Sequence, residues 1–142
     1  MKKRFPLSSK NQKGQSLVEL GISLMLILWL LAAAVDFGMG FFSFVAIRDA
    51  AQEGALYGSI CQNTSNIVSR VHSSSTRPVN LTTVTVAVAT PSGTSRGKPL
   101  TVTVRYNYPV STPLISTFIG GATIPLTATA TSTIIKSSTT CP

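Results

Sequence analysis

The sequence predicts an α+β fold: one long N-terminal helix followed by a small antiparallel β-sheet of about three strands. Three observations carry that prediction. A charge-free apolar run starts at Leu20, and helix-forming residues continue to about Ser59. Beyond residue 80 the apolar period changes to two, as in a strand with one buried face. Finally, the charges sort into the same segments. Lys2, Lys3, Arg4, Lys10 and Lys13 precede residue 14. All four acids, Glu19, Asp36, Asp49 and Glu53, lie between residues 19 and 53, and no Asp or Glu follows. The formal charge of +8 over 142 residues hides this partition. The length suits one domain rather than two.

The first 14 residues, MKKRFPLSSKNQKG, are basic and polar and contain Pro6. Nothing there can bury itself, so a disordered cytoplasmic leader is expected over 1–14. The long helix is predicted over 15–59. Its most apolar part, Leu20 to Ile47, would be about 42 Å long at 1.5 Å per residue, and a bilayer core needs about 20 residues. A cleaved secretory signal is the rival, with Ala32-Ala33-Ala34 as its candidate site. Against it, IRDAAQEGALYGSI continues the helical pattern without a proline. The basic residues before Gly14 put the N-terminus in the cytoplasm and the C-terminal domain, 60–142, outside it.

After Cys61, NTSNIVSRVHSSS predicts a short second helix, capped by Asn63 or Thr64, with Ile67, Val68 and Val71 as its apolar face. The first strand is placed at Thr83–Thr90, with Val84, Val86 and Val88 on one face. The second is Leu100–Tyr108, with Leu100, Val102, Val104, Tyr106 and Tyr108 on one face. PSGTSRGKP between them suits an antiparallel hairpin. A third strand fits Ile124–Ile135, after a connection holding Pro109, Pro113 and Gly120-Gly121. Three strands alone are marginal, so the sheet is expected to cover the upper helix.

Glu19 is the most informative residue. It sits five places after Gly14, where a carboxylate enters an apolar helix and needs a partner. It is either a passive head-group residue or a group awaiting a cation from elsewhere. Asp36 is about 25 Å further along the helix, near the far edge of a hydrocarbon layer of about 30 Å. An interfacial position and an inter-helix contact weigh equally there. Asp49 and Glu53 are one turn apart and repel unless a cation is near; Arg70, Arg77 and Arg105 are candidates. Gly54 and Gly58 share a face and invite close packing, with the hairpin as the expected neighbour. Phe37, Phe41 and Phe44 form a stripe of the kind used for core or helix–helix packing.

Cys61 and Cys141 suggest one disulfide if the segment is extracytoplasmic, with two unrelated free thiols as the alternative. Catalysis is poorly supported: His72 is the lone histidine and no acid follows Glu53. One His and two distant Cys do not make a metal site, and no phosphate-cradling glycine motif is present, so no cofactor is expected. The six cations after Glu53 are read as a solvated face rather than a nucleic-acid site.

Gly14-Gln15-Ser16-Leu17-Val18-Glu19 before an apolar helix resembles the prepilin-peptidase site of type IV pilin-like proteins. Val35-Asp36-Phe37-Gly38 and Asp49-Ala50-Ala51-Gln52-Glu53-Gly54-Ala55-Leu56-Tyr57-Gly58 resemble the acid-Phe-Gly and A-A-x-E-G-A motifs of TadE-like proteins of the Tad (tight adherence) pilus. The resemblance covers residues 13 to about 60; the β-rich tail is similar only in style. Two positions depart from the pattern. Leu20 stands where Phe or Tyr is usual, and Met25 where many members carry Pro. The resemblance implies a minor pilin or pseudopilin cleaved after Gly14, with Gln15 as the new N-terminus. Glu19 and Asp36 would serve assembly through helix–helix packing. The implied partners are the prepilin peptidase, other pilin subunits with their assembly platform, and membrane lipid. An uncleaved, membrane-anchored adhesive or binding ectodomain is the alternative, and a secreted protein that has lost its helix is a third.

Overall fold

The computed structural model describes residues 12–74, 79–112, 115–117, 120–138 and 141. Its architecture is α+β. A long helix, α1 (Gln12–Gly58), is followed by a short helix, α2 (Thr64–Ser73). A 3₁₀ turn (Leu81–Thr83) leads into strands β1 (Thr85–Ala89), β2 (Pro99–Pro109) and β3 (Thr123–Thr133). The stretch expected to be a disordered leader falls on 1–14; residues 1–11 lie outside the described residues, and 12–14 are already helical. Gln12 and Lys13 are good helix formers with no proline after them, so nothing delays the first turn until Gln15.

The chain divides into two units, residues 1–35 and 36–142. In the first, residues 14–35 are exposed except for half-buried Ala32. Leu17, Leu20, Ile22, Leu24, Met25 and their neighbours face outward all round the helix, which a protein core cannot satisfy and a bilayer can. Mean hydropathy reaches 2.3 in the most apolar part of α1, so this helix is long and apolar enough to cross a membrane.

In the second unit the sheet has the order β1-β2-β3, antiparallel throughout. Val102 pairs with Val88 on one side and Ala130 on the other, which fixes the faces of all three strands. Leu100, Val102 and Val104 turn inward and are fully buried, as their alternation predicts. They meet Ile47, Ala50, Ala51 and Ala55 of α1 and Ile67 and Val71 of α2 in one core. The outer face is threonine: Thr101 faces Thr131 and Thr103 faces Thr129, hydroxyls 3.0 and 3.3 Å apart.

α2 starts where Asn63 accepts a hydrogen bond from the Asn66 amide through its side chain. The first strand begins at Thr85, two residues later than the alternation suggests. The Asn80 side chain accepts from the Thr82 amide and hydroxyl and pulls Leu81–Thr83 into the 3₁₀ turn. In the β1–β2 hairpin Gly93 and Gly97 have φ of +95° and +84°, values that need glycine.

Candidate functional site

The residues from Gly14 to Glu19 at the helix start are all exposed. Gly14 has open space where a side chain would project. Gln15 and Glu19 are exposed. No cation lies within ion-pair distance of Glu19 among the described residues. The described residues thus present a carboxylate at the head of an apolar helix without a counter-charge beside it.

Asp36 is different. It is buried, and its carboxylate accepts hydrogen bonds from the Thr112 amide (3.1 Å) and the Thr112 hydroxyl. Its carbonyl accepts from the Tyr108 hydroxyl at 3.4 Å. The Tyr108 ring lies over Gly40, about where a Cβ there would make ordinary contact. Burial, and then the Asp36 carboxylate, push the Tyr108 phenol above its usual 10.0. Neither role weighed from the sequence for Asp36 includes this contact. It is an intrachain clamp between α1 and the end of β2. Alternation along β2 already places Tyr108 on the face expected to cover the helix; nothing in the sequence marks Thr112.

The motif Asp49–Gly58 is the seat of the domain. Ala50, Ala51 and Ala55 are buried to 2% exposure or less, so the backbone of α1 approaches its neighbours closely. A Cβ on Gly54 would stand 2.5 Å from Val71 Cγ2 and 3.3 Å from Val102 Cγ1. One on Gly58 would stand 2.7 Å from Leu100 Cδ2. The neighbours are therefore β2, the second strand of the hairpin, and also α2, which the sequence reading did not place there. Glu53 pairs with Arg70 of α2 at 2.8 Å, one of the three candidate cations, while Asp49 stays exposed. Cys61 and Cys141 form a disulfide, their Cα atoms 5.6 Å apart. Gln62, which no motif marks, fastens the same tail. Its amide donates to the carbonyls of Gly58 and Lys136, both at 2.9 Å, and its oxygen accepts from the Ser138 amide at 2.7 Å.

Phe37, Phe41 and Phe44 are exposed, so the stripe does not serve this chain's own core. Among the described residues no three of His, Cys, Asp and Glu converge. The hollow lined by Tyr57, Asn66, Ser69, Arg70 and Ser73 is open and shallow.

These features define a class: an α+β protein with one membrane-capable helix among the described residues, followed in the chain by a disulfide-linked domain. Residues 14–56 match the TadE-like protein family, over 43 of the 142 residues. The match takes in Gly14, Glu19, Asp36 and the motif through Gly54, and ends before the β-domain. No curated protein and no solved structure matches the chain. The similarity is to the TadE-like family and is confined to the long helix.

Proposed function

We propose that this chain is a minor pilin or pseudopilin of a Tad-type pilus or secretion apparatus. In this reading a prepilin peptidase removes residues 1–14, and helix 15–59 stores the subunit in the membrane with 60–142 outside. Gln15 to Val35 is about 31 Å of helix, close to the thickness of a hydrocarbon core. Asp36 then marks the outer edge of the bilayer.

The observation that supports this most is Glu19, a carboxylate exposed on an apolar helix with no cation within ion-pair distance among the described residues. Cleavage after Gly14 creates an α-amino group at Gln15, and a neighbouring subunit's amine supplies the missing charge. In a low-dielectric setting that pairing outweighs desolvation only when both partners are present. Phe37, Phe41 and Phe44 offer the apolar surface for helices to meet.

The test is co-expression with a prepilin peptidase, reading the N-terminal residue by mass and the chain's incorporation into pili. Cleavage is expected to start the chain at Gln15. Glu19→Ala is expected to insert and form its disulfide but to stay out of the pilus. A pilus-associated chain that still starts at Met1 overturns the cleavage, and normal incorporation of Glu19→Ala leaves Glu19 a passive interfacial residue; a chain that keeps Met1 and stays out of the pilus supports the uncleaved, anchored ectodomain instead.

A further inference from the structure

The six cations that follow Glu53 are scattered in sequence, but the fold collects three of them. The Gly97 amide donates to the Ile134 carbonyl at 2.8 Å, and the Ile134 amide donates to the Lys98 carbonyl at 2.9 Å. The segment Arg96–Lys98 therefore lies beside the segment Ile134–Lys136. Arg96, Lys98 and Lys136 are all exposed, and no carboxylate lies within ion-pair distance of them among the described residues. Arg70, by contrast, is paired with Glu53.

The backbone beneath these cations is pinned. The Lys136 amide donates to the Ser59 carbonyl at 3.2 Å, and the Lys136 carbonyl accepts from the Gln62 side chain at 2.9 Å. The Lys98 amide donates to the Ser95 carbonyl at 3.2 Å, and the positive φ of Gly97 sets the bend between Arg96 and Lys98. The charges thus stand on a pinned backbone, and their chain neighbours Ser95 and Ser137 are exposed and carry hydroxyls.

We propose that this end of the domain binds a linear polyanion, a phosphodiester-linked polyol or sugar polymer of the kind found on cell surfaces. Charge selects the class, because three neighbouring cations with no carboxylate within ion-pair distance among the described residues attract spaced phosphates. Nucleic acid is the rival, and the sequence argues against it. No Phe, Tyr or Trp occurs between residues 59 and 105 or after residue 118, so neither segment that carries these cations brings a ring on which bases can stack. Each contact is weak, and affinity comes from repetition along the polymer. The proposal goes beyond the pilin reading and does not depend on cleavage at Gly14.

The test uses the full chain in phosphatidylcholine nanodiscs and measures binding of fluorescent poly(glycerol phosphate) by anisotropy. Three phosphate contacts at about 0.7 each give a log–log salt slope of about −2, or about a 20-fold loss between 50 and 200 mM salt. Arg96→Gln/Lys98→Gln/Lys136→Gln is expected to bind at least tenfold more weakly with a flattened slope. Lys136→Gln alone should lose about threefold and is the deciding variant if the triple one fails to form its disulfide. Arg105→Gln, on the threonine face, should change binding less than twofold. No binding by the wild type, equal binding by the variants, or a loss that follows Arg105 instead overturns the site. Single-stranded DNA of equal charge bound tenfold tighter than poly(glycerol phosphate) overturns the partner class.

Discussion

Replacing Gly54 by alanine tests whether α1, α2 and β2 are packed backbone to side chain. The new methyl would stand 2.5 Å from Val71 Cγ2, closer than carbon atoms approach, and 3.3 Å from Val102 Cγ1. Val71 is fully buried on a helix, where a β-branched side chain has one strongly preferred rotamer, so it cannot swing away. Overpacking of this kind costs about 1–3 kcal/mol. Alanine recovers about 0.8–1.0 kcal/mol over glycine through helix propensity. The stiffness of Val71 puts the cost in the upper part of its range, leaving a net loss of about 1–2 kcal/mol. For a domain near 100 residues that lowers Tm by about 5–10 °C. The assay is thermal unfolding of the oxidised chain in detergent, followed by near-ultraviolet circular dichroism of the tyrosines. Gly38→Ala is the control: nothing lies within 4 Å of its added methyl, so it should be neutral or slightly stabilising. Adding Val71→Ala to Gly54→Ala should reveal a favourable coupling of about 1–2 kcal/mol. A Gly54→Ala transition that matches the Gly38→Ala one would refute the close approach.

Asp36→Ala should destabilise the domain by about 2 kcal/mol, because Thr112 loses a charged acceptor. Amide exchange at Thr112 should accelerate with it, and unchanged exchange would show that the clamp does not form in solution. Cys141→Ser opens a loop of sequence separation 80 and should cost about 4 kcal/mol in chemical denaturation of the oxidised chains. The Tyr108 phenol is raised in the fold, so its stabilising contribution is complete below about pH 10. It is lost as pH climbs from there through the folded-state value. Tyr108→Phe should flatten that alkaline decline in a pH series of melts.

Much of this protein is local in origin and therefore legible in its sequence. An apolar helix surface with nothing to bury it shows in the run Leu20–Val35, because composition alone decides whether a helix faces lipid. Period-two alternation identified the inward face of β2, since side chains of a strand must alternate. Asn63 was one of two candidate caps for α2, and it is the one that closes the helix end. The match over residues 14–56 lies within the same long helix.

Other features were decided by contacts between distant segments. Gly54 and Gly58 announce a close approach, but only the fold says that α2 shares it with β2. Asp36 and Thr112 are 76 residues apart, and no pattern links a helix acid to a loop threonine. Phe37, Phe41 and Phe44 have the spacing of a packing stripe, yet burial depends on where the sheet lies, and it lies over Gly40 and Gly54 instead. Arg96, Lys98 and Lys136 look like three isolated surface charges until Ile134 pairs with Lys98. Sequence fixes what each segment prefers to do with its own backbone and one face. Which faces meet is a property of the whole chain, because it depends on many weak contacts satisfied at once.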